Sequence, residues 1–284
     1  MIGPVPVRTA LGSFAIAVVI LFGSADGPTT GNSAAIPESR PLDSWKKRHE
    51  SFVERSKKGN VEILFAGDSI TQRWETDGQA VWDESFAAWK PANIGISGDR
   101  TQHLLWRIGA GKELAGIDPK VIVLLIGTNN VHNNSPAEIA AGVKAILAEF
   151  RKQKPKAEIL LLGLFPRTSE PVPESATTAP AEALSPKIAA INALLAKLED
   201  DAAVTFLDLA SEFLDEAGGL PKSAMPDFLH LSEEGYRIWA RALVKPVGDL
   251  IAGRPSPRRI AKGAWRRVDA SRRHIMMSVF GRSP

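Results

Sequence analysis

The stretch Val61-Glu62-Ile63-Leu64-Phe65-Ala66-Gly67-Asp68-Ser69 decides the fold, because a mostly apolar run ends in a glycine turn and a serine. Apolar residues without strict alternation are expected of a strand that is covered on both faces of a sheet. A serine on a sharp turn at the carboxyl end of such a strand can be held in attacking geometry, provided that a base takes its proton. The stretch therefore predicts the first strand of a parallel sheet and a candidate nucleophile, Ser69. A serine that only caps the following helix would suit the same sequence.

Further apolar runs follow the first one, and amphipathic segments separate them. This alternation is typical of βα units around a parallel sheet. The clearest helix start is Ser135-Pro136-Ala137-Glu138, which combines an N-cap serine, proline at the first helical position and a capping-box glutamate. Other helices are predicted around residues 42–56, from near Ser185 and from Ser232. The predicted strands are 61–66, 91–95, 121–126, 158–163 and 203–207.

His230 is the candidate base for Ser69, because it closes the motif Asp227-Phe228-Leu229-His230. A carboxylate three residues earlier can reach Nδ1 of the ring in one turn and leave Nε2 free for the serine. A surface Asp-His pair before a helix would have the same sequence. His132 could line the mouth of the site, but it lacks an equally placed carboxylate. The remaining histidines lie in predicted helices or near the end of the chain: His49, His103 and His274.

Four blocks in order resemble the signature of the SGNH (GDSL-type) hydrolases. They are Gly67-Asp68-Ser69, Gly95-Ile96-Ser97-Gly98-Asp99-Arg100-Thr101, Val123-Leu124-Leu125-Ile126-Gly127-Thr128-Asn129-Asn130 and Asp227-Phe228-Leu229-His230-Leu231. Within that family they are similar to the catalytic subunits of intracellular platelet-activating-factor acetylhydrolase and to their bacterial relatives. The resemblance covers about residues 61–250. It implies an α/β protein with a flavodoxin-like three-layer α/β/α fold, whose five parallel strands have the order 2-1-3-4-5.

The resemblance also assigns roles to individual residues. It implies a catalytic triad of Ser69, Asp227 and His230. It further implies an oxyanion hole made by the backbone N–H groups of Ser69 and Gly98 and by the side-chain amide of Asn129. On the residues alone, Gly98 could be a turn glycine and Asn129 a cap after a strand.

The walls of the substrate site are expected at the strand ends, where open parallel sheets bind ligands. Candidate substrate-binding residues are Asp99, Arg100 and Asn130, whose polar side chains suit a hydroxylated alcohol portion. The segment 167–184 is rich in Pro, Ser, Thr, Glu and Ala and predicts a long loop on the same side. This loop is either a rim or lid of the site, or a surface loop without a role.

The two ends of the chain differ from its body. Residues 1–25 combine Arg8 with an apolar run and the small residues Gly23-Ser24-Ala25, which predicts a secretory signal and a secreted or periplasmic protein. An uncleaved membrane anchor is the alternative, although the run is short for one. Residues 26–60 are expected to be a linker and an N-terminal helix, and residues 61–251 the hydrolase domain. Residues 252–284 are expected to be a disordered basic extension.

Charge is distributed unevenly along the chain. The extension 252–284 carries nine Lys/Arg and one acidic residue, which give it a charge of +8. Since the whole chain has +3 and residues 1–25 carry only Arg8, residues 26–251 hold −6. The basic extension is either a solvated tail or a contact for anionic surfaces such as phospholipid or acidic polysaccharide. No nucleic-acid partner is expected, and the oligomeric state stays open.

Composition and motifs exclude several chemistries. The chain has no cysteine, which excludes disulfides and thiolate nucleophiles. Neither a metal nor a cofactor is expected, because no metal-ligand spacing, phosphate loop or dinucleotide-binding glycine run is found. The expected function is hydrolysis of short-acyl esters, above all acetyl esters, of O-acetylated carbohydrate. The alternatives are an acetyl-phospholipid or lysophospholipid esterase, and a non-catalytic carbohydrate-binding module.

Overall fold

A parallel five-stranded sheet organises the computed structural model, which describes residues 1, 3, 32–169, 171–200 and 203–254. The strands are β1 (Ile63–Gly67), β2 (Pro91–Asn93), β3 (Val121–Leu125), β4 (Glu158–Leu162) and β6 (Val204–Leu207). Their order across the sheet is β2-β1-β3-β4-β6, which is the expected order 2-1-3-4-5 of the long strands. Every residue of β1 and β3 is buried, as the unbroken apolar runs predicted.

Seven α-helices of the described residues connect and cover these strands. They are α1 (Asp43–Lys57), α2 (Ser69–Gln72), α3 (Gln79–Phe86), α4 (Thr101–Ile108), α5 (Pro136–Gln153), α6 (Pro186–Leu195) and α7 (Glu233–Ile251). Helix α5 contacts α4 and α6, whereas α3 contacts α7. The predicted three-layer α/β/α fold is therefore confirmed.

The helix starts follow the capping signals of the sequence. At α5, the Ser135 hydroxyl accepts from Glu138 N at 3.3 Å, and Glu138 Oε2 accepts from Ser135 N at 2.7 Å. This is the predicted capping box, with Pro136 at the first helical position. The start of α7 uses Ser232, whose hydroxyl accepts from Gly235 N at 3.2 Å.

An aromatic cluster packs under β1 and supports the turn that carries Ser69. The ring centroids of Phe65 and Trp82 are 4.8 Å apart, and those of Trp74 and Tyr236 are 4.4 Å apart. The Tyr236 hydroxyl donates to the Ile70 carbonyl of α2 at 2.7 Å. The first turn of α2 is thereby tied to α7, so the backbone next to Ser69 has a fixed position.

The residues that precede α1, here called the N-terminal segment (32–42), lie against the domain. The Thr101 hydroxyl donates to the Ala34 carbonyl at 2.7 Å, and Glu38 N donates to the Gln102 carbonyl at 3.1 Å. Arg40 reaches the loop between β2 and α4. From residue 32 onward, the predicted linker is thus bound by hydrogen bonds to helix α4 and the loop before it.

The loop 167–184 contains a short ladder that the sequence did not reveal. Within it, β5 (Thr178–Ala179) pairs antiparallel with β7 (Leu220–Pro221). Ser185 N also donates to the Arg167 carbonyl at 2.8 Å, which closes the base of the loop. The described part of this loop is thus anchored at its base and at its far end.

Some of the sequence-based expectations concern residues outside the described part of the chain. The predicted signal 1–25 lies there apart from residues 1 and 3, and so does the basic extension from residue 255. Among the described helices, none has the length and apolar composition that a membrane crossing requires.

Candidate active site

Ser69 is the first residue of α2, and only Asp68 separates it from the end of β1. Its side chain is nearly buried, with 6% of the residue exposed, and its Oγ lies 3.0 Å from Nε2 of His230. The turn requires glycine at position 67, because a Cβ there would lie 2.1 Å from the Thr71 hydroxyl and 2.3 Å from the Leu125 carbonyl oxygen. As the start of a helix, Ser69 has a backbone N–H without an intrahelical acceptor.

His230 joins Ser69 to Asp227. Its Nδ1 lies 2.7 Å from Oδ2 of Asp227, while Oδ1 of Asp227 accepts from the backbone N–H groups of His230 at 2.7 Å and Leu229 at 3.1 Å. Phe228 sits between them with φ of 56°, a left-handed conformation that is unusual for a bulky residue. The loop therefore brings an aspartate and a histidine three residues apart into direct contact, as the motif predicted.

The electrostatics of Asp227 suit a carboxylate that orients a histidine. Partial burial alone would raise the pKa of Asp227, but the hydrogen bonds from the His230 ring and from backbone N–H groups outweigh it and lower that pKa. Asp227 is therefore ionised at neutral pH, and its carboxylate accepts a hydrogen bond from the N–H at Nδ1 of His230. In that tautomer Nε2 is the ring nitrogen that accepts the serine proton.

Asp68 caps α2 directly before Ser69. Its Oδ1 accepts from Ile70 N at 3.0 Å, and its Oδ2 is buried without a hydrogen-bond partner among the described residues. Burial raises the pKa of Asp68 to about 7, and the nearby charge of Asp99 adds to that rise, while the hydrogen bond from Ile70 and the charge of Arg167 oppose it. A carboxyl that changes its charge near neutral pH thus lies one residue from Ser69.

Gly98 and Asn129 come after β2 and β3, and Asn129 contacts Asp99, the residue that follows Gly98. Gly98 has φ of 76°, and no described residue accepts its N–H. The side-chain amide of Asn129 donates to the Asp99 carbonyl at 2.9 Å. An amide nitrogen carries two hydrogens, so Asn129 keeps one for a further acceptor. These groups are donors of the kind that stabilise an oxyanion.

Two of the expected substrate-binding residues are buried inside the protein, which corrects that expectation. Asp99 has no exposed surface, and its carboxylate accepts from Trp45 Nε1 at 2.7 Å and Arg107 Nε at 2.8 Å. Asn130 is equally buried, and its oxygen accepts from Thr101 N at 2.9 Å. Their polar atoms are used within the fold because both residues hold loops together.

Arg100 remains a candidate for substrate contact. It is partly exposed, and its NH2 donates to Oδ1 of Asn133 at 3.0 Å. That single bond leaves most of the donors of a guanidinium available.

Arg167 is a residue near the site that the sequence analysis did not single out. Its NH1 lies 3.3 Å from both the carbonyl and the hydroxyl of Thr128, and its NH2 lies 3.3 Å from Nε2 of His132. Partial burial lowers the pKa of Arg167, while the negative charges of Asp68 and Asp227 oppose that shift. The cation of Arg167 is thus close enough to Asp68 and Asp227 for their charges to act on it. Its position after β4, at the carboxyl end of a strand, was the signal that could have identified it.

Polar residues predominate in the depression beside His230, but its walls also have apolar parts. The open depression of about 600 Å³ flanks the loop of Asp227 and His230. Its polar lining residues include Arg73, Thr76, Asp77 and Glu233, and its apolar ones are Pro226 and Leu231. A second cavity of about 600 Å³ is lined by Pro119, Lys120, Pro155 and Lys156 and therefore lies at the amino ends of β3 and β4, away from Ser69. In the part of the chain that the structure describes, no group of three or more His, Asp or Glu side chains is arranged to hold a metal ion.

Residues 65–238 match the GDSL-like lipase/acylhydrolase family. Among curated proteins, the chain is similar to the platelet-activating factor acetylhydrolase IB subunit alpha2 of Rattus norvegicus. The two are 38% identical over 225 residues, which cover 78% of this chain and 90% of that protein.

Solved structures of the same fold are also similar to this chain. One from Streptococcus pneumonia, described as a platelet activating factor protein, is 28% identical with a TM-score of 0.58, and the match covers 71% of this chain and 92% of that chain. A GDSL-like lipase from Bacteroides thetaiotaomicron is 19% identical with a TM-score of 0.52, over 72% of this chain and 97% of that chain. The second similarity concerns the fold alone.

Proposed function

The chain belongs to the GDSL-like lipase/acylhydrolase family and is an ester hydrolase, and from this premise we propose that Ser69, His230 and Asp227 form its catalytic triad. The observation that carries the proposal is the hydrogen-bonded chain from Ser69 Oγ to His230 Nε2, at 3.0 Å, and from His230 Nδ1 to Asp227 Oδ2, at 2.7 Å. A serine, a base and an orienting carboxylate in this connection activate a hydroxyl for attack on a carbonyl carbon.

The reaction then follows from the three groups. Ser69 Oγ attacks the ester carbonyl carbon while its proton passes to Nε2 of His230. The tetrahedral intermediate collapses, the bond to the alcohol oxygen breaks, and His230 returns the proton to that oxygen. Water next attacks the acyl carbon on Ser69 while His230 takes a proton from it. The bond between the acyl carbon and Ser69 Oγ then breaks, His230 returns the proton to Oγ, and the free acid leaves. Asp227 stays ionised throughout and stabilises the imidazolium.

We further propose that the backbone N–H groups of Ser69 and Gly98 and the amide of Asn129 stabilise the negative oxygen of the tetrahedral intermediate. The N–H of Ser69 starts a helix, the N–H of Gly98 has no acceptor among the described residues, and Asn129 has one amide hydrogen to spare. Each such donor contributes about 10²–10³ in rate where donors of this kind have been removed.

The acyl group is proposed to be short, and acetyl in particular. The relative from Rattus norvegicus is named an acetylhydrolase, and it is 38% identical over most of both chains. The large exposed apolar side chains of the described residues are Met1, Ile36, Leu42 and Val244, none of which lies on the loops that carry the triad. A fatty acyl chain would gain little from such surroundings.

For the alcohol portion we propose an acetylated phospholipid first, because the name of the relative gives platelet-activating factor as its substrate. O-acetylated carbohydrate is the second candidate, and the polar depression beside His230 favours it. The expectation of carbohydrate is weaker than the sequence suggested, because Asp99 and Asn130 are buried and cannot contact a sugar.

The test is acetate release from a matched panel by the purified protein and by Ser69→Ala. The panel contains p-nitrophenyl acetate, an sn-2-acetyl glycerophospholipid, acetylated xylan fragments and an O-acetylated sialic acid. We expect the protein to hydrolyse p-nitrophenyl acetate, and Ser69→Ala to lose nearly all activity while keeping its far-UV spectrum. Retention of most activity by Ser69→Ala, or labelling of another residue by an organophosphonate, would contradict the triad. If kcat/KM is higher for the acetylated phospholipid than for the acetylated carbohydrates, the alcohol portion is the phospholipid. The reverse order favours carbohydrate.

We also propose that the protein is exported and that its basic extension contacts anionic surfaces. Support comes from the sequence of residues 1–25 and from the +8 charge of residues 252–284. Intact-mass analysis of protein recovered from the periplasm or the medium should give a chain that starts soon after Ala25. A full-length chain confined to the cytoplasm would contradict export.

A further inference from the structure

Arg40, in the N-terminal segment, reaches into the loop that carries Gly98. Its NH1 donates to the Ser97 carbonyl at 2.8 Å and lies 3.3 Å from Oδ1 of Asp99. A Cβ placed on Gly98 would lie 3.3 Å from both terminal nitrogens of Arg40. The guanidinium therefore covers Gly98 on the side where other residues carry a side chain.

The carbonyl that Arg40 binds and the N–H of Gly98 belong to one peptide group. A trans peptide is planar, and its C=O and N–H point in opposite directions. Fixing the direction of the Ser97 carbonyl therefore fixes the direction of the Gly98 N–H. Donation to the carbonyl from a cation also polarises the amide, and hydrogen bonds that polarise one another strengthen the next donor in the chain.

The peptide group between Asp99 and Arg100 is held as well, but from other elements. Asn129 donates to the Asp99 carbonyl at 2.9 Å, and Arg107 of α4 donates to the Asp99 carboxylate at 2.8 Å. In the described part of the chain, only Arg40 donates a side-chain hydrogen bond to the Ser97 carbonyl. Because residue 98 is a glycine, it has no side chain that would restrict this peptide, and its φ of 76° lies in the left-handed region.

We propose that Arg40 is a positioning residue of the oxyanion hole, which holds the peptide between Ser97 and Gly98 so that the Gly98 N–H faces the reacting carbonyl oxygen. The proposal rests on the proposed role of Gly98 in catalysis. It makes the N-terminal segment, which the sequence suggested was a linker, a functional part of the site. Arg40 reaches no substrate atom in this role, so it acts on kcat rather than on substrate binding.

The test compares Arg40→Ala with Arg55→Ala on p-nitrophenyl acetate. Arg55 is a matched control, because its NH1 also donates to a backbone carbonyl at 2.8 Å, that of Gly59, after α1 and outside the loop. We expect Arg40→Ala to lower kcat about 10-fold to 100-fold, less than the ~10²–10³ of a direct donor, with KM changed by less than about 2-fold. Arg55→Ala should keep the wild-type kcat.

Guanidinium ion gives a readout that a purely structural role would not produce. The Arg40 side chain is about one-fifth exposed, so the ion has access to the space left by Arg40→Ala. Guanidinium chloride, far below denaturing concentrations, should restore part of kcat in Arg40→Ala, whereas sodium chloride at equal concentration should not. Arg40→Lys keeps the charge but loses the planar fork, so it should have an intermediate kcat and covers the case in which Arg40→Ala fails to fold.

Wild-type kcat in Arg40→Ala would overturn the proposal. A lower kcat would also overturn it if guanidinium does not restore the rate and the melting temperature of the variant falls in parallel. A wild-type kcat in Arg40→Lys would show that charge alone suffices and would overturn the positioning argument. The activity of Ser69→Ala tests the proposed triad independently of the proposed role of Arg40. If Ser69→Ala is inactive while Arg40→Ala is fully active, the triad stands and the role of Arg40 falls.

Discussion

Arg107 Nε lies 2.8 Å from Oδ2 of Asp99, and neither side chain has any exposed surface. The same guanidinium donates to Glu113 through NH1 and lies 3.4 Å from the Gly67 carbonyl through NH2. Gly67 precedes the nucleophile turn and Asp99 follows Gly98. One buried cation thus connects the two loops on which the proposed attack and oxyanion stabilisation depend.

Arg107→Met should strongly destabilise the fold, because it leaves the carboxylates of Asp99 and Glu113 buried without their main partner. Breaking a buried ion pair from one side costs about 3–5 kcal/mol. The free energy of unfolding from urea titration at pH 7 measures this. The control is Arg241→Met. The Arg241 side chain is 68% exposed and its NH2 lies 3.3 Å from Glu234, so the cost should stay below about 1 kcal/mol. Equal losses in the two variants would contradict the argument.

Asn129→Ala should lower kcat by about 10²–10³ while KM changes little, because the amide hydrogen that Asn129 does not give to the Asp99 carbonyl is proposed to bind the charged oxygen of the transition state and not the uncharged ester. The matched control is Asn133→Ala. Asn133 is an exposed asparagine whose oxygen accepts from Arg100 at 3.0 Å and which lies outside the proposed oxyanion hole. Steady-state kinetics on p-nitrophenyl acetate separate kcat from KM. A kcat within a few-fold of wild type in Asn129→Ala would remove Asn129 from the oxyanion hole.

Asp68 should make the protein less stable as the pH rises from about 4 to about 7. Burial raises the pKa of Asp68 in the folded state to about 7, above its ordinary value of 3.8, so between these values the folded state holds a proton that the unfolded state has lost. Stability falls by about 1.36 kcal/mol per pH unit in that window and changes no further above it. The expected loss between pH 5 and pH 8 is therefore about 2–3 kcal/mol.

Asp68→Asn should abolish this part of the pH dependence, because asparagine keeps the cap on Ile70 N and does not ionise. Urea unfolding of both proteins at pH 5 and pH 8 gives the difference directly. Asp83→Asn, at an exposed position of α3, should leave the wild-type pH dependence in place. The same pH dependence in Asp68→Asn as in wild type would show that other groups cause it.

Much of the fold could be predicted because its signals are local. The apolar run Val121–Leu125 and the capping box at Ser135 each determine an element through the residues within it. The proposed triad could also be predicted from local signals, since Asp227 and His230 lie three residues apart and Ser69 comes two residues after a strongly apolar strand. Their roles stay predictions until the variants are measured.

The substrate contacts were less predictable because burial of a loop residue depends on distant partners. Asp99 looked like a polar loop residue, yet Trp45 and Arg107 remove it from solvent. The position of Arg40 depends on the path of the N-terminal segment, and no pattern near residue 40 encodes that path. The pairing of β5 with β7 joins residues about forty positions apart, each strand being too short to give a periodic signal.

The length of the acyl chain should affect kcat/KM in the direction opposite to that of a lipase. Each extra methylene that enters an apolar pocket stabilises binding by about 0.8 kcal/mol, so a lipase gains kcat/KM as the chain lengthens. Here the described residues beside His230 are mainly polar, and the large exposed apolar side chains lie elsewhere. We therefore expect kcat/KM to fall steadily from acetyl to butyryl to octanoyl p-nitrophenyl esters.

Truncation after Ile251 serves as the control for the basic extension in this series. The extension holds many cationic residues and a few apolar ones, a composition that could attract a lipid-like substrate. The truncated protein should show the same order of the three esters, because the order is set by the walls around Ser69. A preference of the full chain for octanoyl over acetyl would contradict the short-acyl proposal. If only the truncated protein lost that preference, the extension would be its source.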